Sequence, residues 1–258
     1  MERDVLSEKA IRSRLRCPHA PDIRLHAALD STNLEARRIA AGAPDGTLVV
    51  ADTQTAGRGR PGHSFFSPPG SGVYMTVLLA FGQSADQLPL VTAAAAVATA
   101  RAAQAVCGRA LKIKWVNDLL YDGKKVGGIL AETAAPGPPA RVAVGIGLNF
   151  TAPEGGFPAE AGNAGALFGE APAGISRNAL IAAVYDNVLE AAAAPDLTRF
   201  LPEYRERSAV LGRRVLIGGT RPALAEEIDD AGRLSVRLDT GGRVFLNGEE
   251  IVIAEVKP

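Results

Sequence analysis

A segment rich in glycine and arginine, residues 54–72, constrains the fold more than any other stretch of this chain. It reads QTAGRGRPGHSFFSPPGSG and lies between two apolar runs with the character of strands. Its G-x-G-x-x-G spacing, from Gly57 to Gly62, matches a dinucleotide-binding loop and approaches a phosphate-binding P-loop. Both motifs need a helix immediately after the loop, and the Pro-Pro-Gly at 68–70 excludes one. Both nucleotide-binding folds are therefore excluded.

The same segment has the composition of an anion-binding loop. Glycine lets the backbone turn sharply and approach a ligand closely, and successive N–H groups in such turns form a concave anion site. Arg58 and Arg60 add fixed positive charge with a geometry suited to carboxylate or phosphate. A flexible surface loop is the alternative interpretation of this segment taken alone.

Length and composition bound the class of protein. A chain of 258 residues holds one large domain, or one large and one small domain. Lysine plus arginine equals aspartate plus glutamate at 28 each, so no overall charge indicates a nucleic-acid or membrane partner. The charged N-terminus has no apolar signal region, and Cys17 and Cys107 form neither a metal motif nor a disulfide framework. These features predict a reduced, cytoplasmic protein.

Hydrophobic periodicity predicts a mixed α+β sheet followed by a small β domain. Helices are predicted at 7–16, 31–41, 88–107, 176–193 and 197–208, and the alanine-rich third helix is predicted to be buried rather than to span a membrane. Strands are predicted at 23–29, 47–52, 73–81, 111–116, 125–132 and 141–150, and an irregular connection at 151–174.

The chain after residue 211 has a different pattern, with short strands separated by glycine turns. The strands are predicted at 214–217, 223–228, 234–238, 244–246 and 250–256, which is typical of a small all-β barrel. We therefore predict three parts: a short leader at 1–22, a catalytic domain at 23–209 and a β-barrel at 210–258.

A second motif lies between the predicted central strands. The run KWVND at 114–118 places a lysine, an amide and a carboxylate at the end of a strand, and DGKKVGGILAE at 122–132 adds two lysines before a Gly-Gly pair. Glycine in a strand lets a ligand or a neighbouring backbone come close. Taken alone, a charged hairpin on the surface explains this motif equally well.

Several motifs in register make the chain resemble the biotin–protein ligases. The resemblance is strong over about residues 25–150, and the small C-terminal barrel is also similar to that of the family. The motifs stand in the same order and at similar spacing in that family: DSTN at 30–33, QxxGRGR at 54–60, KWxND at 114–118, KxxGIL at 125–130 and GxGxN at 145–149.

The resemblance implies both a fold and a reaction. The implied fold is a class II aminoacyl-tRNA synthetase-like catalytic domain followed by a barrel of the Src-homology-3 type. The implied enzyme activates biotin with ATP and Mg²⁺ as biotinyl-adenylate, releasing pyrophosphate. It then transfers biotin to a lysine of a biotin carrier domain, such as that of acetyl-CoA carboxylase. Residues 1–22 are too short for a DNA-binding domain, so the form without repressor activity is expected, as a monomer or a homodimer.

The resemblance also implies roles for individual residues. Ser31, Thr32 and Gln54 are expected at the biotin ureido ring, Lys125 at the biotin carboxylate and α-phosphate, and Asn149 near the adenine. Lys125, Arg60 and Lys114 are the expected catalytic cations, and Asp118 is the candidate contact to the metal, which is otherwise held by the ATP phosphates. The full biotin set is Ser31, Thr32, Asn33, Gln54, Gly57, Arg58, Arg60, Lys125, Gly127 and Gly128; the full nucleotide set is Arg58, Arg60, His63, Phe65, Lys114, Asn117, Asp118, Lys125 and Asn149.

The chain departs from the family pattern in the glycine loop. Pro61-Gly62-His63 stands where arginine, glycine and arginine are common. Proline removes an N–H and histidine is mostly neutral at pH 7, so a weaker hold on the adenylate is expected. Phe65 replaces a common tryptophan and Val116 a common proline. Two alternatives stay open: a ligase or transferase for lipoate or octanoate, and a non-catalytic biotin-binding protein.

Overall fold

The protein consists of an α+β body and a second, smaller β-sheet, which confirms the predicted fold class. The computed structural model describes residues 4–17, 21–81 and 87–254. In chain order the helices are α1 Glu8–Arg12, α2 Thr32–Ile39, α3 Leu88–Cys107, α4 Arg177–Ala192 and α5 Leu201–Glu206. The strands are β1 Ile23–Leu29, β2 Thr47–Gln54, β3 Gly72–Phe81, β4 Lys112–Lys114, β5 Asp118–Tyr121, β6 Lys124–Ala135, β7 Ala140–Asn149, β8 Arg214–Ile217, β9 Arg221–Ile228, β10 Leu234–Leu238, β11 Arg243–Leu246 and β12 Ile251–Ile253.

Seven strands form the main sheet, in the order β1-β2-β3-β7-β6-β5-β4. β1 and β2 run parallel, and the other neighbouring strands run antiparallel. Parallel strands need a crossover connection, and α2 supplies it between β1 and β2. β3 and β7 pair along their whole length at the centre, so the glycines of β7 lie in the middle of the sheet.

The two faces of the sheet are covered differently. Leu48 and Val50 of β2 belong to the main core, whereas Val49 between them packs with Ala36 of α2. Successive strand side chains point to opposite faces, so α3 and α4 cover one face and α2 covers the other. Because α2 has only eight residues, its face of the sheet retains room for a cavity.

Helix α3 is the central helix of the core and has the bounds predicted from the sequence. Pro89 lies in its first turn, and Gly108 ends it in the left-handed conformation with φ 66°. By length and apolar composition α3 could cross a membrane, but 78% of its apolar window is buried inside the fold. The prediction of a buried helix is confirmed.

The region of the second motif differs from the sequence prediction. The predicted strand at 111–116 is shorter, and β5 is an additional strand that the prediction missed. Trp115 follows the end of β4, and its indole Nε1 donates to the Gly232 carbonyl, in the turn between β9 and β10, at 2.9 Å. The predicted hairpin turn is confirmed, since Asp122 and Gly123 have φ of 49° and 73° and join β5 to β6.

The described part of the predicted leader packs against α4. Helix α1 is shorter than the predicted 7–16, begins after the Ser7 cap and buries Ile11 completely. The Ser7 N–H donates to the Asn178 side chain of α4 at 2.9 Å. Residues 4–17 therefore pack onto the α+β body rather than extend from it.

The second sheet has five antiparallel strands in the order β11-β10-β9-β8-β12. This matches the predicted series of five short strands, although the last ends at Ile253 instead of 256. Residues 1–3 and 18–20 of the predicted leader and 255–258 of the predicted barrel lie outside the described residues. The domain bounds at 22/23 and 209/210 stay a prediction.

Candidate active site

Most of the predicted site residues meet in one cavity on the α2 face of the main sheet. They come from the start of α2, the glycine loop, the turn between β4 and β5, and strands β6 and β7, so distant parts of the chain converge. The predicted residues that line the cavity are Ser31, Thr32, Asn33, Gln54, Arg58, Arg60, His63, Phe65, Lys114, Asn117, Asp118, Lys125 and Gly128.

Two of the predicted glycines, Gly57 and Gly127, lie outside the cavity lining and allow close packing of the backbone next to it. A Cβ atom at Gly57 would stand 2.2 Å from the Phe65 carbonyl oxygen, so the glycine loop can close on itself only with glycine there. A Cβ atom at Gly127 would stand 2.4 Å from the Gly147 carbonyl oxygen. Both glycines permit close backbone contacts and need not touch a ligand.

Asn149 also lies outside the cavity lining, and its contact with the adenine stays a prediction. Its side-chain Nδ2 donates to the Gly165 carbonyl at 2.8 Å. The N–H of Gly165 donates to the Lys125 carbonyl, and the Lys125 N–H donates to the Asn163 carbonyl, both at 2.8 Å. Asn149 thus anchors the segment of the 151–174 connection that pairs with the backbone of Lys125.

Strand β7 lines the cavity without side chains at two positions. A Cβ atom at Gly145 would lie 2.2 Å from Asn33 Oδ1, and one at Gly147 would lie 2.7 Å from the Phe65 ring. The GxGxN spacing in the sequence therefore has a packing cause, because α2 and the glycine loop lie directly on the strand.

A chain of polar side chains lies at the start of α2. Thr76 Oγ1 from β3 lies 2.7 Å from Asn33 Oδ1 and 2.9 Å from Thr32 Oγ1. The backbone N–H of Thr32 donates to Gln54 Oε1 at 2.9 Å, and Gln54 Nε2 donates to Ser67 Oγ at 2.8 Å. Buried polar groups need such partners, so these contacts hold Thr32 and Gln54 in place at the cavity wall.

Ser31 begins α2 but does not cap it with its side chain. Its conformation is that of an N-cap residue, yet its hydroxyl makes no capping hydrogen bond. The Ser31 N–H donates to Asp30 Oδ1 at 2.7 Å. A side-chain hydrogen bond from Arg38 lowers the pKa of Asp30 to about 2, so Asp30 stays ionised and fixes the backbone at Ser31.

Two lysines converge on Asp118. Lys125 Nζ lies 2.5 Å from Asp118 Oδ1, and Lys114 Nζ lies 3.8 Å from Asp118 Oδ2. The hairpin of β5 and β6 brings Lys125 next to Asp118, and the turn after β4 brings Lys114 there. The cavity therefore holds two ammonium groups beside one carboxylate, an excess of positive charge.

Arg58 pairs with Glu132, a residue to which the sequence assigned no role. Arg58 Nη2 lies 3.0 Å from Glu132 Oε1, and Asn33 Nδ2 donates to Glu132 Oε2 at 3.0 Å. Strand periodicity is the signal that could have identified Glu132. It lies two residues after Leu130 and four after Gly128, both in the cavity lining.

Residues 60–63 of the glycine loop form a tight turn. The His63 N–H donates to the Arg60 carbonyl at 2.9 Å, and Gly62 has φ 84°. Proline in the second position of a turn and glycine with positive φ in the third are the pattern of a type II turn. Pro61 and Gly62 therefore form a rigid turn in the glycine loop.

Both sides of the glycine loop have firm attachments. Arg60 Nη1 donates to the Gly248 carbonyl, in the connection between β11 and β12, at 2.6 Å. Phe65 packs edge-on against Tyr74 with ring centroids 6.3 Å apart. Burial raises the pKa of Tyr74 to about 12, so its neutral hydroxyl can donate to the Pro68 carbonyl at 3.0 Å.

The described residues do not form a metal cage. In the ranges 4–17, 21–81 and 87–254, no group of three or more His, Cys, Asp and Glu side chains could hold an ion. Asp118, the predicted metal contact, already faces two lysines. This donor set does not fit a resident Mg²⁺, which would have to enter with a phosphate ligand of its own.

Several cavity residues were absent from the predicted set. Five of them belong to the glycine loop and to the GxGxN motif, and they have no charged side chain that would have marked them as ligand contacts. The additional lining residues are Gly59, Ser64, Ile129, Leu130, Gly145, Ile146, Gly147 and Glu250. The arrangement suits a ligand that has both a neutral hydrogen-bonding part and an anionic part.

Comparisons by sequence point to one family. The sequence model of the biotin/lipoate A/B protein ligase family matches residues 26–149 of this chain. A biotin–[acetyl-CoA-carboxylase] ligase of Mycobacterium tuberculosis is 34% identical over 233 residues, which cover 84% of this chain and 82% of that protein. The bifunctional ligase/repressor BirA of Bacillus subtilis is 40% identical over 158 residues, 60% of this chain. The matched part spans about half of that relative, 49% of its length.

Comparison by structure gives the same fold. The biotin protein ligase of Aquifex aeolicus in complex with biotin and ATP superposes with a TM-score of 0.72 at 23% identity, covering 90% of this chain and 99% of that one. At this identity the likeness establishes the fold alone. The superposition covers nearly the whole length of both chains, so the neighbour shares the overall fold.

Proposed function

The chain belongs to the biotin/lipoate A/B protein ligase family, and we propose that it is an ATP-dependent biotin–protein ligase. It activates biotin as biotinyl-adenylate and transfers it to a lysine of a carrier domain such as that of acetyl-CoA carboxylase. The observation that carries this proposal is the composition of one cavity. The Thr32–Gln54 pair and the Lys114–Asp118–Lys125 cluster both line it, and biotin has a neutral ureido ring and an anionic carboxylate.

The hydroxyl and amide groups are assigned to the ring of biotin. Ser31 makes no capping bond, so its hydroxyl is available to the ureido group. Thr32 and Gln54 are held in fixed positions by their own hydrogen bonds. Asn33 already uses both its Nδ2 and its Oδ1 on protein partners, so we assign it to support this wall rather than to contact biotin.

The cations are assigned to the reacting phosphate. A biotin carboxylate oxygen attacks the α-phosphorus of ATP, the bond to the bridging oxygen breaks, and pyrophosphate leaves with the electron pair. Two anions meet in this step, so fixed positive charge lowers the barrier. Lys125 is the first choice for the cation at the α-phosphate, with Lys114 and Arg60 as further cations. Phe65, His63 and Asn117 are assigned to the nucleotide, and for Asn149 the adenine contact stays a prediction.

Mg²⁺ is assigned to the substrate as Mg-ATP, because the cavity contains no set of free carboxylates. When bound to phosphate oxygens, the ion neutralises part of their charge. Lys125 and Lys114 must exchange the Asp118 carboxylate for the incoming phosphate. A bound phosphate and Asp118 thus compete for the same ammonium groups.

The second step forms an amide with the carrier. The lysine amine attacks the acyl carbon of biotinyl-adenylate, the bond between that carbon and the phosphate oxygen breaks, and AMP leaves with the electron pair. One proton leaves the lysine ammonium before the attack, and a second leaves the nitrogen as the amide forms. The mixed anhydride hydrolyses easily, so the glycine loop has to exclude water while the carrier approaches.

Pyrophosphate release is the experiment that tests this proposal. The protein is incubated with ATP and Mg²⁺, and biotin, lipoate or octanoate is added separately. Release that depends on biotin alone is expected. Release with lipoate or octanoate instead would assign the chain to the other branch of the family. Stabilisation by biotin without any release would make it a binding protein.

A further inference from the structure

Glu250 places a negative charge at a cavity that is proposed to bind the anionic phosphates of ATP. Among the described residues that line the cavity, Asp118 and Glu250 are the acids. Asp118 is paired with two lysines. Glu250 lies in the connection between β11 and β12 of the second sheet, and its side chain is exposed. Within the described part of the chain it forms no ion pair or side-chain hydrogen bond. The cavity therefore has one unpaired negative charge, on the side of the second sheet.

The turn that carries Glu250 is held rigidly beside the glycine loop. The Glu249 carboxylate accepts the N–H groups of Asn247 and Gly248 at 2.6 and 3.0 Å. The Gly248 carbonyl accepts from Arg60 at 2.6 Å, and the Glu250 carbonyl accepts the Gly218 N–H at 2.9 Å. The backbone that carries Glu250 therefore loses little freedom when a ligand meets it, which favours binding.

We propose that Glu250 captures the ammonium group of the acceptor lysine and guides it to the acyl carbon in the second step. This inference rests on the proposed function. A carboxylate opposes the phosphates of ATP but attracts a lysine cation. Mg²⁺ takes part in the first step together with ATP. In the second step the reactants are the anionic adenylate and the lysine, so the lysine is the reactant of that step whose charge complements Glu250.

Glu250 assists binding of the acceptor lysine and does not assist formation of the amide bond. Attraction to a carboxylate favours the charged ammonium, and the lysine must lose a proton to solvent before it attacks. A charge at the rim of a site chiefly changes association and its dependence on salt. Glu250 therefore lowers the KM for the carrier and has little influence on kcat.

The test compares a cationic and a neutral nucleophile on the same adenylate. Synthetic biotinyl-adenylate is supplied to the enzyme, so the measurement does not depend on adenylate formation. Transfer to the biotin carrier domain of acetyl-CoA carboxylase is compared with capture by hydroxylamine, which is neutral at pH 7.5. The variant is Glu250→Gln, and the control is Glu206→Gln, an exposed acid on α5 outside the cavity lining.

For Glu250→Gln we expect the ratio of carrier transfer to hydroxylamine capture to fall about fivefold, through KM, as for the loss of one favourable surface charge pair. The fall should shrink at high ionic strength because salt screens exposed charges. Glu206→Gln should retain the parent ratio. An unchanged ratio in Glu250→Gln, or an equal fall in the control, would overturn the inference. Failure of the parent to transfer supplied adenylate would overturn the proposed function as well.

Discussion

At the scale of single residues, the cations of this site have partners before any ligand arrives. Lys125 and Lys114 face Asp118, Arg58 faces Glu132, and Arg60 donates to the Gly248 carbonyl. Each partner keeps a long, flexible side chain near the position where it is needed, which reduces the entropy lost on binding. Binding of phosphate is then an exchange of partners rather than the capture of a free cation.

The first prediction concerns Lys125. Lys125→Ala should retain the fold, since this side chain is 41% exposed, but slow biotin-dependent pyrophosphate release about a hundredfold because it removes a cation from the developing charge. Lys112→Ala, an exposed lysine on β4, is the matched control and should behave like the parent. Parent-like turnover of Lys125→Ala would remove the catalytic assignment.

The second prediction concerns Glu132 as a positioning residue for Arg58. Hydrogen bonds to charged groups contribute about 1.5–3 kcal/mol, so Glu132→Gln should speed dissociation of biotinyl-adenylate roughly tenfold. The same substitution should have no further effect when Arg58 is already alanine, because coupled residues are not additive. Equal effects in both backgrounds would show that Glu132 acts independently of Arg58.

At the scale of elements, the contact of α2 with β7 forms the wall of the site. Gly145 lets Asn33 lie on the strand, and Asn33 in turn holds Glu132 and Thr76. The polar residues of α2 are therefore fixed by a strand that supplies no side chain at that position. The DSTN and GxGxN motifs are two halves of one packing arrangement.

The third prediction follows from that contact. Gly145→Ala would place a Cβ atom 2.2 Å from Asn33 Oδ1. Overpacking costs about 1–3 kcal/mol, so the free energy of unfolding in urea should fall by that amount and biotin affinity should fall with it. Gly42→Ala has no atom within 4 Å of the new Cβ and is the control. Equal stability of the two variants would contradict the role of Gly145.

At the scale of the whole molecule, Arg177 joins three separated parts of the chain. Its side chain is only 2% exposed, pairs with Asp4 and with Asp52 at 2.6 Å, and donates to the Gly72 carbonyl. Asp4 belongs to the N-terminal segment, and Asp52 and Gly72 flank the glycine loop. A buried ion pair of this kind ties the N-terminal segment to the strands that support the site.

The fourth prediction is that Arg177→Met destabilises the molecule and loosens its N-terminus. Breaking a buried ion pair from one side costs about 3–5 kcal/mol because a charge is left uncompensated. Urea unfolding measures this loss, and hydrogen exchange should show reduced protection of α1. Arg16→Met is the control, since Arg16 pairs with Asp186 but is 71% exposed. A loss no larger than that of the control would contradict the anchoring role.

The sequence by itself determined the features that depend on nearby residues. The bounds of α3 follow from Pro89 and Gly108, and the hairpin before β6 follows from Asp122-Gly123, because these residues restrict their own backbone. The motifs for the site also follow from the sequence, since spacing along the chain is enough to recognise them. The cavity lining contains most of the residues those motifs named.

Only the tertiary structure decided which charges meet and which residues face the cavity. Arg58 and Glu132 are 74 residues apart in the chain, and Arg60 and Gly248 are 188 apart. Asn149 donates to the Gly165 carbonyl outside the lining, and Glu250 joins the lining from the connection between β11 and β12. Such contacts depend on how sheets and loops pack in three dimensions, and no local pattern of residues specifies that packing.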